Sequence, residues 1–251
     1  MHRLWYLRCL AEACVSNAPP PPLLLHILRL TSKSKRINVM YKIGVVLFDD
    51  FTDVDFFLMY DLLGRTTDSW TVSILGTKSE HHSHLGMKVK TDGHLSEVTN
   101  QDVVLITSGK RGIPAALKDA EFMSALNLDP NRQLIGSICA GSFILHELGL
   151  LKGKRLTTNP DAKAVLQSMG GDVQDLPLVI DGNVATAGGC LSLMYLIGWL
   201  TERLFDSNKR KAIQNQLIPA GQLELFEELI ATTIQSAELA SSDNKALNNH
   251  S

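Results

Sequence analysis

The chain has 251 residues, of which 45% are apolar and 20% charged, with a formal net charge of −2. That is the composition of a globular protein long enough to bury one sizeable core, and it excludes a disordered chain. It lacks the basic excess that nucleic-acid binding requires, and no apolar run reaches the ~18 residues of a membrane-spanning helix.

Residues 1–39 differ from the rest. They carry Arg3, Arg8, Arg29, Lys33, Lys35 and Arg36 against one acid, Glu12, and contain "PPPP" at 19–22. Such a basic, acid-poor stretch resembles a transit peptide, but it lacks the apolar core and small-residue cleavage site of a secretory signal. We read it as an N-terminal extension, disordered or non-native, with the working α/β domain spanning 40–206. C-terminal helices at 207–240 and a polar tail at 241–251 complete the predicted organisation.

From Met40 the pattern is regular. "YKIGVVLF" (41–48) is a buried strand, and "DVDFFLMYDLLGR" a helix with Val54, Phe57, Leu58 and Leu62 at helical spacing. "WTVSILG" (70–76) and "DVVLITSG" (102–109) are further buried strands, while the alternating "MKVKTDG" (87–93) reads as an edge or hairpin strand. Residues 113–126 read as one helix with Pro114 in its first turn. The strand "QLIGSI" then runs into "CAGSFILHELGLL", a helix. "KRLTT" is a short strand, and "PDAKAVLQSMGG" a helix closed by glycine. "LVIDGNVATAGG" is a strand pair, "CLSLMYLIGWLTERLF" a long apolar helix, and "QLELFEELIATTIQ" another helix, after which the last dozen residues read as frayed. Strands alternating with helices predict a parallel α/β sheet covered on both faces, with its ligand site beyond the strands' carboxyl ends. Repeats, a P-loop and GxGxxG are all missing, so no cofactor is expected.

Four cysteines without CxxC spacing leave Cys139 and Cys190 as free thiols of a reducing, cytoplasmic setting. Cys139 stands at a strand-to-helix joint. Ser137-Ile138-Cys139-Ala140-Gly141 has the small-x-nucleophile-x-Gly spacing of a nucleophile elbow, with sulfur in place of oxygen. A sharp turn there demands small residues two positions to either side. It would also place the thiol at a helix N-terminus, where the dipole favours thiolate and the Ala140 N–H faces developing negative charge. The histidines of "HHSH" (81–84) read as solvated loop rather than a metal site, so no metal is expected.

These segments together resemble the ThiJ/PfpI superfamily, which shares its fold with class I glutamine amidotransferases. The carriers are "GVVLFDDFTDVDFFLMYDLL", "LITSGKRG", "QLIGSICAGSFILHELGLLKGKRLTT" and "DGNVATAGGCLSLMYLIGWLTERLF". Within it the chain looks most similar to the isocyanide hydratase branch. The resemblance implies a flavodoxin-like parallel sheet with helices on both faces, a homodimer, and Cys139 as nucleophile. It also implies a partner carboxylate at Asp55, in preference to Asp49, Asp50 and Asp53. A carboxylate beside a thiol can carry the proton the reaction needs, and crowding would raise its own pKa. Thr107-Ser108-Gly109 stands where the family has Pro-Gly-Gly, so Gly109 can still offer a backbone N–H, with Ser108 and Asn159 as substrate-binding candidates. Two departures matter: Ala140 replaces the threonine of the hydratases, and Asn159 replaces a common histidine, which weakens a peptidase reading. His146 reads as a core or dimer-face residue. The implied activity is cofactor-free addition of water to a small electrophile, isocyanide to N-formamide. Alternatives are a glyoxalase or deglycase, or a non-catalytic oxidation sensor or regulator-like module.

Overall fold

The computed structural model describes residues 40–66 and 68–248, so the expectation for residues 1–39, with Cys9 and Cys14, lies outside the described residues. The first half runs β1 (Tyr41–Val46), α1 (Asp53–Gly64), β2 (Trp70–Gly76), β3 (Glu80–His82), β4 (Lys88–Lys90), β5 (Gly93–His94) and β6 (Val103–Ile106). The middle holds α2 (Gly112–Ala116), α3 (Ala120–Ala125), β7 (Leu134–Ile138), α4 (Ser142–Glu147), β8 (Arg155–Leu156) and α5 (Pro160–Ser168). Then follow β9 (Asp172–Val173), β10 (Leu178–Asp181), β11 (Val184–Ala187), α6 (Leu193–Leu204), α7 (Ser207–Gln214) and α8 (Leu223–Asn248).

Seven strands form one sheet in the order β10-β11-β7-β6-β1-β2-β5. Only the β10–β11 pair is antiparallel. The segment β2-β1-β6-β7-β11 is the 2-1-3-4-5 order of a flavodoxin-like sheet. Its central strands are apolar and buried over most of their length (Ile43, Val45, Val46, Val103 to Ile106, Ile135, Ile138), as strands covered on both faces must be. Buried Arg210 ties the C-terminal helices to this body, bonding Glu202 of α6 at 2.6 Å and Glu227 of α8 at 3.1 Å.

The helix expected over 113–126 is two short ones. The break falls at Asp119, whose carboxylate accepts from the backbone N–H groups of Glu121 and Phe122 and so starts a new helix. In α1 the buried face is Asp55, Phe56, Met59, Leu62 and Leu63, leaving Val54 and Phe57 exposed. This helix is apolar almost all round, so spacing alone did not select its buried side. The final helix continues to Asn248 rather than fraying near 240. His81 is not solvated loop: it is buried in β3, which pairs with β4, and its Nδ1 lies 3.2 Å from Asp49.

Between β7 and α4 the chain turns through Cys139 at φ +50°, the left-handed region that few side chains adopt. The turn presses the next residues against the end of β6. A Cβ on Gly141 would lie 2.7 Å from the Thr107 carbonyl oxygen, 3.0 Å from that of Ile106 and 3.3 Å from the Ser137 Cβ. The spacing rule read from the sequence thus has a steric cause. Gly141→Ala is expected to destabilise the protein by about 1–3 kcal/mol through overpacking, measured by urea unfolding, with Ser137→Val acting in the same direction.

Candidate active site

The site is assembled from the carboxyl ends of four neighbouring strands. Beyond β1 the chain enters α1 and Asp55, and beyond β6 come Thr107 and Ser108. β7 ends at Cys139, and β11 leads through Gly188 and Gly189 to Cys190. Short bonds lock these ends together. The Thr107 hydroxyl donates to the Val46 carbonyl at 2.9 Å, and the Thr52 N–H donates to the Ser108 carbonyl at 2.6 Å. The Ala140 N–H donates to the Ser108 hydroxyl at 3.3 Å. Two hydroxyls hold the carbonyl of the strained cysteine, from Ser142 at 3.1 Å and Thr158 at 3.0 Å.

Cys139 is 5% exposed and Asp55 fully buried. The Cys139 thiol donates toward Asp55 Oδ1 at 3.9 Å, and the Cys190 sulfur lies 3.8 Å from that of Cys139. Asp55, Cys139 and Cys190 therefore converge, each offering an atom within 4.8 Å of the others. The competing acids serve elsewhere. Asp49 bonds Lys78 at 2.6 Å and the His82 N–H at 3.0 Å, and Asp50 pairs with Arg111 at 2.8 Å. Asp53 accepts from the Ser83 hydroxyl and the Leu85 N–H. All three fasten the β3–β4 hairpin, or the loop after β6, to the approach of α1.

The electrostatics correct one expectation. Burial, then the Asp55 charge, then Cys190 push the Cys139 thiol well above its ordinary value, while the Gly189 backbone N–H pulls the other way. The turn opening at Cys139 is three residues of 3-10 helix and α4 only six residues long, so little helix dipole is available to offset the burial. Burial also raises Asp55. The thiols of Cys190 and Cys139 and the Ser108 hydroxyl each oppose that rise. Its Oδ2 has no hydrogen-bond partner among the described residues. The site thus sets a buried thiol with a raised pKa beside a buried carboxyl whose pKa is raised as well.

The remaining candidates sit around this cluster. Ala140 and Ser108 adjoin it directly. Gly109 is packed so tightly against Asp50 that a Cβ would strike the Asp50 carbonyl oxygen, and its own carbonyl accepts from the Ile113 N–H at 2.9 Å. Asn159 is joined to the site through Thr158, whose hydroxyl lies 3.4 Å from its side-chain oxygen. His146 faces away, with Nε2 3.2 Å from the Met169 carbonyl oxygen. Gly189 and Cys190 were not singled out from the sequence for the site. The signal available in the sequence was the Ala187-Gly188-Gly189-Cys190 run between a strand and a helix.

A flavodoxin-like sheet with a cysteine elbow and a buried carboxylate at its strand ends defines a class of cysteine-centred α/β proteins. Residues 41–202 match the DJ-1/PfpI family, and the chain belongs to it. Relatives include an isonitrile hydratase from Pseudomonas putida, 25% identical over 177 residues that cover 70% of this chain and 77% of the relative. Protein DJ-1alpha of Drosophila melanogaster is 25% identical over 178 residues, 69% of this chain and 82% of the relative. A solved ThiJ/PfpI family protein from Pseudomonas syringae has a TM-score of 0.67 at 20% identity, covering 90% of this chain and 98% of that one. DJ-1 of Schizosaccharomyces pombe has a TM-score of 0.60 at 19% identity, covering 71% and 100%. These last two likenesses bear on the fold.

The buried carboxyl makes a signed prediction. Its folded pKa is raised, so its contribution to stability is full below the ordinary value of 3.8 and is lost as pH rises through the folded value. Asp55→Asn removes that loss, so the melting-temperature gain of the variant over wild type is expected to be larger near pH 7 than near pH 4. The same variant removes one cause of the raised thiol, and the pH profile of Cys139 alkylation is expected to move to lower pH. An unmoved profile would show that no charge resides on Asp55 beside the sulfur.

Proposed function

We propose that the protein is a cofactor-free, cysteine-dependent enzyme that hydrates or hydrolyses a small electrophile, with an isocyanide as the type substrate. The observation that supports it most is the strained, buried Cys139 thiol with the Asp55 carboxylate 3.9 Å away. On attack the sulfur bonds the terminal isocyanide carbon while Asp55 takes the thiol proton and passes it to that carbon, giving a thioimidate. Water then adds to the same carbon, a proton goes to nitrogen, and the carbon–sulfur bond breaks. The products are an N-formamide and the restored thiol. Negative charge formed on the way would draw the Ala140 N–H from its long 3.3 Å bond to the Ser108 hydroxyl, with the Gly189 N–H beside the sulfur. For Gly109 as a second donor the support is its place directly after Ser108. Ser108 and Asn159 complete the proposed binding surface.

The same thiol could add to a 2-oxoaldehyde as a hemithioacetal, the glyoxalase or deglycase alternative. The assay therefore offers both cyclohexyl isocyanide and small 2-oxoaldehydes. Formamide release by wild type is expected to fall by at least ~10³-fold in Cys139→Ala and by roughly 10²–10⁴-fold in Asp55→Asn. Equal rates for wild type and Cys139→Ala on every substrate would remove the enzyme reading.

A homodimer and a reducing, cytoplasmic setting belong to the same proposal. The exposed Val54, Phe57 and Tyr60 on one side of α1 supply an apolar surface for a second copy. Sedimentation equilibrium is expected to give twice the chain mass, and Phe57→Glu to shift it towards one.

A further inference from the structure

We propose that Cys190 is a resolving cysteine: after a hydroperoxide oxidises Cys139, the two close into a reversible disulfide. This rests on the reading of Cys139 as a nucleophile and adds a second substrate class, the hydroperoxide.

Three observations carry it. First, β7 and β11 are paired in register, with Ala187 opposite Ile138, so the two cysteines leave the ends of adjacent strands. Their sulfurs lie 3.8 Å apart, and a disulfide closes to about 2.05 Å, a step within reach of side-chain rotation. Second, Cys190 is half-buried where Cys139 is 5% exposed, so the partner stands on the open side of the nucleophile. Third, an Asp55 oxygen lies within 4.8 Å of both sulfurs, so one base can serve either thiol.

The chemistry balances as two displacements. The Cys139 sulfur, its proton taken by Asp55, attacks one peroxide oxygen. The O–O bond breaks, the alcohol leaves with that proton, and Cys139 becomes a sulfenic acid. Cys190 then loses its proton to Asp55 and attacks the sulfenic sulfur. The S–O bond breaks, hydroxide leaves with the proton as water, and the disulfide forms. Two thiols are oxidised by two electrons and one hydroperoxide is reduced. An external dithiol reverses the change by exchange. Without a neighbouring thiol, a sulfenic acid is open to a second equivalent and proceeds to irreversible sulfinic acid.

The test treats the full chain with one equivalent of hydrogen peroxide in the presence of a metal chelator, so that thiol loss reports bond formation rather than ion capture. Remaining thiols are alkylated, and peptides are mapped because Cys9 and Cys14 are also present. The expected product is a peptide linking Cys139 to Cys190 that dithiothreitol abolishes, restoring Cys139 alkylation. In Cys190→Ser, restored alkylation is expected to fall about tenfold, with Cys139 recovered as sulfinic acid. Equal sulfinic acid in wild type and Cys190→Ser, Cys139 bridged to another cysteine, or Cys139 left unoxidised would each overturn the proposal. Isocyanide and 2-oxoaldehyde turnover by the reduced protein is measured in parallel. Turnover without the link overturns this inference alone, whereas the link without turnover overturns the hydration reading alone.

Discussion

The site depends on one steric fact: β7 must turn into a helix with its carbonyl neighbours on β6 almost in contact. A left-handed non-glycine residue costs about 1–3 kcal/mol, and here the cost falls on Cys139. The surroundings hold it there. Gly141 lets the turn approach the Thr107 carbonyl, and two hydroxyls grip the Cys139 carbonyl. Ser108 then links the turn to the start of α1, accepting from Ala140 with its hydroxyl and from Thr52 with its carbonyl. Through that link, the position of Asp55 relative to the sulfur is set by backbone rather than by a flexible side chain.

Three ionisable groups inside a dry cluster disfavour more than one negative charge, since burial raises all of them and like charges repel. Asp55 starts from an ordinary value of 3.8, well below the 9.0 of the thiols, which suits it to the role of proton acceptor proposed above. Under the proposed mechanism, activation of Cys139 is a proton transfer to Asp55 made as the electrophile arrives.

How much of this was legible in the sequence follows from the range of each interaction. Ser137, Cys139 and Gly141 are local, and their spacing stated the elbow outright. The parallel sheet was legible because its central strands are apolar on both faces. Asp55 was reached by resemblance only: the apolar residues all around α1 allowed a reading with Val54 and Phe57 inward, whereas Asp55 and Phe56 are inward. The thiolate expectation is opposed by burial, which raises the Cys139 thiol and cannot be guessed from a motif as a helix dipole can. Gly189 and Cys190 escaped notice because they meet Cys139 across 51 residues of chain, a contact that exists only once β11 has paired with β7.

Burial also constrains what the site can process. A thiol 5% exposed favours a slender electrophile whose reacting carbon lies at its end, since a branched one would meet the walls first. Yet hydration has a second half, in which water must reach the same carbon after the sulfur has bonded to it. Under the proposed hydration the thioimidate must therefore stay open to solvent. Cys190, the least buried member of the cluster, followed by exposed Leu191, marks the side that stays open. A water path to the thioimidate is equally a peroxide path to the thiol. On the proposed function, a site that admits water to a strained cysteine gains from a second thiol beside it, and the Cys190 sulfur stands 3.8 Å from that of Cys139.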